Sequence, residues 1–270
     1  MPMAKVGDIS IEYYVEGEGP PLLMIMGFWG HASSWSERFL EHLRPHFQVI
    51  RFSNRGAGLT DKPKVEYSIR LMADDAAGLL AELGIRKAHV LGISMGGMIA
   101  QELALHHPQA VQGLALGCTN CGPAHGVQPS PEVLALLTPV PGTPPEEQFR
   151  KAWPAIVTPE FVGRGREFLE EMLRIGLENP TPVDTMVRQM AAIMRFDSYE
   201  RLPEIKSPTL IVHGDRDVLV PAKNGPILHE RIADSTLRIL TGAAHMFFWE
   251  KPAESAGAIV EFLSSVPAPA

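Results

Sequence analysis

Three residues far apart in the chain have the types that acyl transfer needs: a serine boxed by glycines, an acid behind a strand, and a histidine near the end. Ser94 lies in Gly92-Ile93-Ser94-Met95-Gly96. An apolar run from His89 to Ile93 precedes it, and a helical pattern with Met98, Ala100, Leu103 and Ala104 follows at once. This spacing predicts strand, very tight turn, helix, with glycines where a Cβ would strike neighbouring backbone. Such a turn lifts the serine Oγ above the sheet. It also aims the first N–H groups of the helix at one point, which suits a developing oxyanion. Asp217 stands in Gly214-Asp215-Arg216-Asp217-Val218-Leu219-Val220-Pro221, just past the buried run Thr209 to His213, and Asp215 competes with it. His245 closes Thr241-Gly242-Ala243-Ala244-His245, behind the run Leu237 to Leu240. An alcohol attacks, an imidazole takes and returns its proton, and a carboxylate fixes the imidazole tautomer.

The surrounding elements must hold these residues together. Ile9, Ile11 and Tyr13 alternate with polar residues and predict an early antiparallel strand. Pro21 to Met26, Phe47 to Phe52, His89 to Ile93, Val111 to Leu116 and Thr209 to His213 are short apolar runs suited to strands buried on both faces. Helical spacing lies between them: a helix capped by Ser33 or Ser34 and carrying Trp35, Phe39, Leu40 and Leu43, another from Ile69 to Leu83, and a last one from Pro252 to Leu263. Alternating strands and helices predict an α/β fold, a mostly parallel sheet covered on both faces, with ligand chemistry at the carboxyl ends of the strands. Prolines crowd the stretch from Pro123 to Pro159, with helical pieces at 168–177 and 183–194 and no convincing buried strand. The expected organisation is therefore a core domain of residues 1–121 and 202–270, with a helical cap of residues 122–201 inserted into it. The Pro/Ala tail from Pro267 is expected to fray.

The chain has 270 residues, ordinary apolar content and a net charge of −7, with no basic run. That excludes nucleic acid or an anionic membrane as the main partner. The start of the chain lacks an apolar signal region and no apolar stretch reaches transmembrane length, so a cytoplasmic location is expected. Cys118 and Cys121 form one C-x-x-C after a strand, without a second pair or histidines at zinc spacing, and read as unremarkable thiols. No metal or cofactor is called for.

Taken together, the elbow, the Gly-Asp-Arg-Asp-Val-Leu-Val-Pro loop, Gly242-Ala243-Ala244-His245 with Phe248-Trp249-Glu250-Lys251-Pro252, and Asn54-Arg55-Gly56-Ala57-Gly58 resemble the α/β-hydrolase superfamily, over about residues 6–263. The order serine, acid, histidine is that of this fold. The resemblance implies the α/β-hydrolase fold with a helical cap and a catalytic triad of Ser94, Asp217 and His245. It places the acid third after the glycine, at Asp217, and implies backbone oxyanion donors at Phe28 and Met95. The chain departs from the pattern at Met26, where relatives usually carry histidine, which puts the hydrogen bonding of the Gly27 loop in question. The implied activity is that of a serine esterase on a small-molecule ester, with lactones and thioesters as close variants. Carbon–carbon bond hydrolases share the triad, although the Gly27 to Ser34 loop does not look like theirs. The chain is similar, too, to cofactor-free perhydrolases and to non-turnover ligand sensors built on this fold. Trp29, His31, Met186 and Met190 are the candidates for lining the substrate pocket. Met194 continues the methionine face, and Arg55 and His31 are the polar side chains expected nearest the site.

Overall fold

The computed structural model describes residues 2–138, 140 and 142–267, so Pro139, Pro141 and the tail beyond Pro267 lie outside the described residues. One sheet holds eight strands: β1 (Met3–Val6), β2 (Ile9–Glu16), β3 (Pro21–Ile25), β4 (Gln48–Phe52), β5 (Ala88–Ile93), β6 (Val111–Gly117), β7 (Thr209–Gly214) and β8 (Ser235–Leu240). Their spatial order is β1-β2-β4-β3-β5-β6-β7-β8. β2 pairs antiparallel with β1 and with β4, and the pairings from β4 through β8 are parallel. The helices are α1 (Glu37–Leu43), α2 (Ile69–Glu82), α3 (Met95–His106), α4 (Pro131–Leu137), α5 (Pro145–Ile156), α6 (Pro159–Arg164), α7 (Arg166–Glu178), α8 (Val183–Arg195), α9 (Asn224–Arg231), α10 (Phe247–Glu250) and α11 (Pro252–Ser265).

The apolar runs become strands buried on both faces because successive side chains point to opposite sides. Leu23, Ile25, Val90 and Leu116 pack with Met72 and Leu79 of α2 and Ile99 and Leu103 of α3. Leu22, Met24, Leu91 and Ala115 pack on the other face with Phe39 and Leu43 of α1 and Ile259 and Leu263 of α11. The helix expected to start at Ser33 or Ser34 divides in two. A 3-10 turn, Ala32–Ser34, is capped by His31, and α1 begins only after Ser36, so Trp35 precedes the helix.

Helices α4 to α8 all lie between β6 and β7, and this segment meets the loops at the carboxyl ends of the strands. His31 Nε2 bonds the Ile175 carbonyl on α7 at 3.2 Å, Thr181 Oγ1 donates to the Trp29 carbonyl at 2.9 Å, and Met246 N–H donates to the Ile156 carbonyl at 2.8 Å. Gly56, at φ 88°, sits so close beneath α8 that an added Cβ would come within 2.1 Å of Thr185 Cγ2.

Two sequence expectations are corrected here. Arg55 is no polar neighbour of the pocket: it is 2 % exposed and its guanidinium forks onto Asp75 at 2.7 and 2.8 Å and onto Asp8 at 3.0 and 3.3 Å. Removing Asp75 leaves a buried cation with half its partners, so Asp75→Ala is expected to lose about 3–5 kcal/mol of stability. Urea unfolding of the variant beside the parent measures this, and a loss below about 1 kcal/mol would show the pair to be dispensable. The second correction concerns α8. Thr185, Gln189 and Ala192 face inward, while Val183, Val187, Met190 and Met194 run along the opposite, exposed face. Met190 is 41 % exposed and Met194 58 %, so neither walls a pocket beneath α8. The inward face is set by Gln189, whose amide spans two loops: its Oε1 accepts Trp29 N–H at 3.1 Å and its Nε2 donates to the Arg55 carbonyl at 3.1 Å. Met190→Gln and Met194→Gln are accordingly expected to change stability by no more than about 0.5 kcal/mol and to leave substrate preference unaltered. A marked shift in acyl preference for either variant would place its side chain in the pocket after all.

Candidate active site

Ser94 caps α3 at the end of β5 with φ 55° and ψ −124°, a left-handed conformation rare outside glycine. Its neighbours make that turn possible. A Cβ on Gly92 would stand 2.2 Å from the Gly96 carbonyl oxygen, and one on Gly96 would stand 2.1 Å from the Ile25 oxygen. The turn is locked by Ser94 N–H to the Gly117 carbonyl at 2.9 Å and by Thr119 Oγ1 donating to the Ser94 carbonyl at 2.7 Å. Ser94 is partly exposed although β5 is buried throughout, so its hydroxyl stands at the rim of the core.

Asp217 and His245 meet in buried surroundings. His245 Nδ1 lies 2.8 Å from Asp217 Oδ2, and the carboxylate's other oxygen accepts Leu219 N–H at 2.9 Å and Val220 N–H at 2.8 Å. The carboxylate is thus fixed from its own loop before it meets the imidazole. Asp215 stays exposed and accepts Gly242 N–H at 2.7 Å, reaching across to the histidine loop. His213 is fully buried, and its Nε2 lies 2.7 Å from the Val220 carbonyl and 3.4 Å from Asp217 Oδ2. Burial pushes the Asp217 carboxyl up, but His245 and His213 outweigh it and hold it below its ordinary value. Burial likewise opposes charge on His245; the Cys118 sulfur and the Asp217 carboxylate overcome this and raise it well above the ordinary histidine value. The histidine loop is anchored by Glu250, a residue that no motif singles out for a role of its own. Glu250 Oε2 accepts Ala244 N–H at 2.6 Å, and its Oε1 accepts Thr158 N–H at 2.8 Å and Thr158 Oγ1 at 2.7 Å.

Cys118 is the other residue that sequence reasoning did not place. It follows β6, is fully buried at φ 40°, and its sulfur lies within 4.8 Å of a His245 ring nitrogen. Burial raises its thiol pKa. Cys121 is a second free, buried thiol.

The loop after β3 borders Ser94 from the other side. A Cβ on Gly27 would lie 3.0 Å from Ser94 Cβ, which puts Phe28 next along the chain from this contact, while Met95 is the first residue of α3. At the Met26 departure a neighbouring side chain holds the backbone: Asn54 Nδ2 donates to the Met26 carbonyl at 2.8 Å. Trp29, at φ 51°, stacks on Phe28 at 5.2 Å and tilts over Phe149 of α5 at 6.3 Å, so it joins the loop to the inserted helices. His31 does not offer a free polar group to a pocket. It is 3 % exposed, its Nδ1 accepts Ser33 N–H at 3.3 Å, its Nε2 faces the Ile175 carbonyl, and burial lowers its pKa. Met186 is half-buried on the flank of α8.

A nucleophile elbow at the end of β5, an acid behind β7 and a histidine behind β8 define a class of protein. The chain belongs to the α/β-hydrolase family, and a model of the alpha/beta hydrolase fold matches residues 20–139. It is 31% identical over 248 residues to RutD of Azorhizobium caulinodans, a protein named for carbamate hydrolysis, with 92% of each chain covered. It is also 31% identical over 270 residues to a 2-hydroxy-6-oxononadienedioate/2-hydroxy-6-oxononatrienedioate hydrolase of Pseudomonas putida, covering 95% of this chain and 92% of that one. This second likeness keeps carbon–carbon hydrolases among the relatives in spite of the Gly27 loop. Among solved structures, a thermophilic esterase from Thermogutta terrifontis superposes with a TM-score of 0.83 at 25% identity, covering 99% of both chains. The relatives act as hydrolases, and hydrolysis is the activity of this fold here. Among the described residues no helix is long and apolar enough to cross a membrane.

Proposed function

We propose that the protein is a serine hydrolase that cleaves carboxylic esters of small to medium apolar molecules through an acyl-enzyme on Ser94. The observation that carries this reading is the buried Asp217–His245 pair at 2.8 Å, together with the strained elbow that presents Ser94 at the end of β5. His245 takes the Ser94 proton as the hydroxyl attacks the ester carbonyl, and Asp217 holds the ring and stabilises the imidazolium. The N–H groups of Phe28 and Met95 receive the oxyanion. His245 then protonates the leaving alcohol, and water attacks the acyl-enzyme by the same route in reverse. The helical segment 122–201 acts as the cap, with Trp29 and Met186 as its pocket-side neighbours.

A neutral acyl group is favoured because the cations at these loops are engaged. Arg55 is held by Asp75 and Asp8, and Arg216 pairs with Glu160 at 2.7 Å. The Phe28, Trp29 and Phe149 rings add apolar surface near the loop. Each methylene buried there adds about 0.8 kcal/mol to binding until the space is filled. The test is kcat/KM for p-nitrophenyl esters of rising acyl length beside a hemisuccinate ester and a carbamate. The expected result is a maximum at short to medium neutral acyl groups. A preference for the charged ester, for the carbamate, or for steadily longer fatty chains would contradict the reading.

A further inference from the structure

The hydrolytic cycle gives Cys118 no task, yet its sulfur, a His245 ring nitrogen and an Asp217 carboxylate oxygen all lie within 4.8 Å of one another. The three residues are 0, 5 and 4 % exposed. Cys118 is kept at φ 40°, where glycine would sit without strain, by its N–H bond to the Val212 carbonyl at 2.9 Å and by the neighbouring Thr119 bond to Ser94. The backbone thus holds a thiol against the imidazole.

Thiolate, imidazole and carboxylate are the donors zinc takes. Their charges also close: one thiolate and one carboxylate neutralise a dication and the imidazole binds neutral, so the filled site places no net charge in a buried region. Magnesium and calcium need six or more oxygen ligands. Asp217 can offer one oxygen, because the other is held by the Leu219 and Val220 N–H groups.

We propose that Cys118, His245 and Asp217 form a binding site for a thiophilic divalent cation of the zinc type, and that filling it switches hydrolysis off. The switch rests on the assignment of His245 as the base for Ser94. On binding, the Cys118 S–H bond breaks, its proton passes to solvent, and the sulfur gives its electron pair to the metal. Asp217 Oδ2 and the His245 nitrogen facing it, Nδ1, give their lone pairs; the proton that Nδ1 shared with the carboxylate leaves it and Nε2 takes one up, so the neutral ring has no lone pair left to accept the Ser94 proton.

Zinc chloride is titrated into wild-type enzyme turning over a p-nitrophenyl ester, followed by EDTA. Zinc and cadmium are expected to inhibit reversibly, while magnesium and calcium at equal concentration are not. Against its own metal-free rate, Cys118→Ala weakens zinc inhibition at least ~10-fold, whereas Cys121→Ala does not. Binding is read without turnover by adding Co2+. Wild type and Ser94→Ala are expected to develop a near-ultraviolet thiolate-to-cobalt band that Cys118→Ala lacks. Should the alanine variant fail to fold, Cys118→Ser keeps the size, loses the soft donor and is expected to lack the band. Because Ser94→Ala reports binding with hydrolysis removed, a failed metal site is distinguished from a failed hydrolytic assignment. No band in the wild type, a band that survives loss of Cys118, or zinc inhibition indifferent to Cys118 would overturn the site. Cobalt or zinc bound with turnover undiminished would overturn the switch.

Discussion

Ser94→Ala lowers ester turnover by at least ~10³-fold in a protein that still folds, because covalent catalysis is lost while oxyanion stabilisation and binding remain. That factor corresponds to about 4 kcal/mol of transition-state stabilisation. Folding should survive because the contacts that lock the elbow are made by the Ser94 backbone, to Gly117 and Thr119, and not by its hydroxyl. Circular dichroism and a thermal melt beside the steady-state assay separate the two effects. A folded alanine variant with turnover near that of the parent would remove Ser94 from the reaction.

Asp217→Asn is expected to lower turnover by about 10⁴-fold, through the tautomer of His245 rather than through charge alone. The Leu219 and Val220 N–H groups demand an acceptor, so the amide oxygen takes their side and the NH2 faces His245 Nδ1. The ring must then carry its proton on Nε2, where it cannot accept one from Ser94. Asp215→Asn loses little, under about tenfold, since its oxygen can still accept Gly242 N–H and it does not touch the imidazole. Equal losses would leave the acid unassigned, and a greater loss at Asp215 would reverse it. The same geometry sets the pH profile. His245 works as a base only when neutral, and its environment raises its pKa, so activity falls as pH decreases through a midpoint above the ordinary value of about 6.5. A midpoint below about 6 in kcat/KM would contradict the pairing with Asp217.

The sheet and the elbow were legible because their signals are local. Short continuous apolar runs such as Leu22 to Ile25 mark strands buried on both faces, and Gly92 and Gly96 mark places where carbonyl oxygens leave no room for a Cβ. The choice of Asp217 over Asp215 came from loop pattern, and the 2.8 Å contact to His245 agrees with it. What was not legible depends on which side of an element faces inward. Periodicity puts Met186, Met190 and Met194 on one face of α8 but does not say that the polar Thr185 and Gln189 face is the buried one. That choice is made by loop carbonyl and N–H groups at Trp29 and Arg55, which Gln189 satisfies. Arg55 was illegible for the same reason: its partners Asp75 and Asp8 belong to other segments, and a buried bidentate pair leaves no mark at its own position. Cys118 sits in an unremarkable C-x-x-C until the fold brings His245 against it.

In this mechanism the acyl group is carried by Ser94 Oγ and by no other atom. Wild-type enzyme treated with a p-nitrophenyl alkylphosphonate, which mimics the tetrahedral intermediate and is not released, tests that most directly. Digestion and mass spectrometry are expected to find one phosphonyl group per chain, on Ser94, with activity lost in proportion and no adduct in Ser94→Ala. Stoichiometric inactivation with the adduct on Cys118, His245 or another serine would contradict the mechanism.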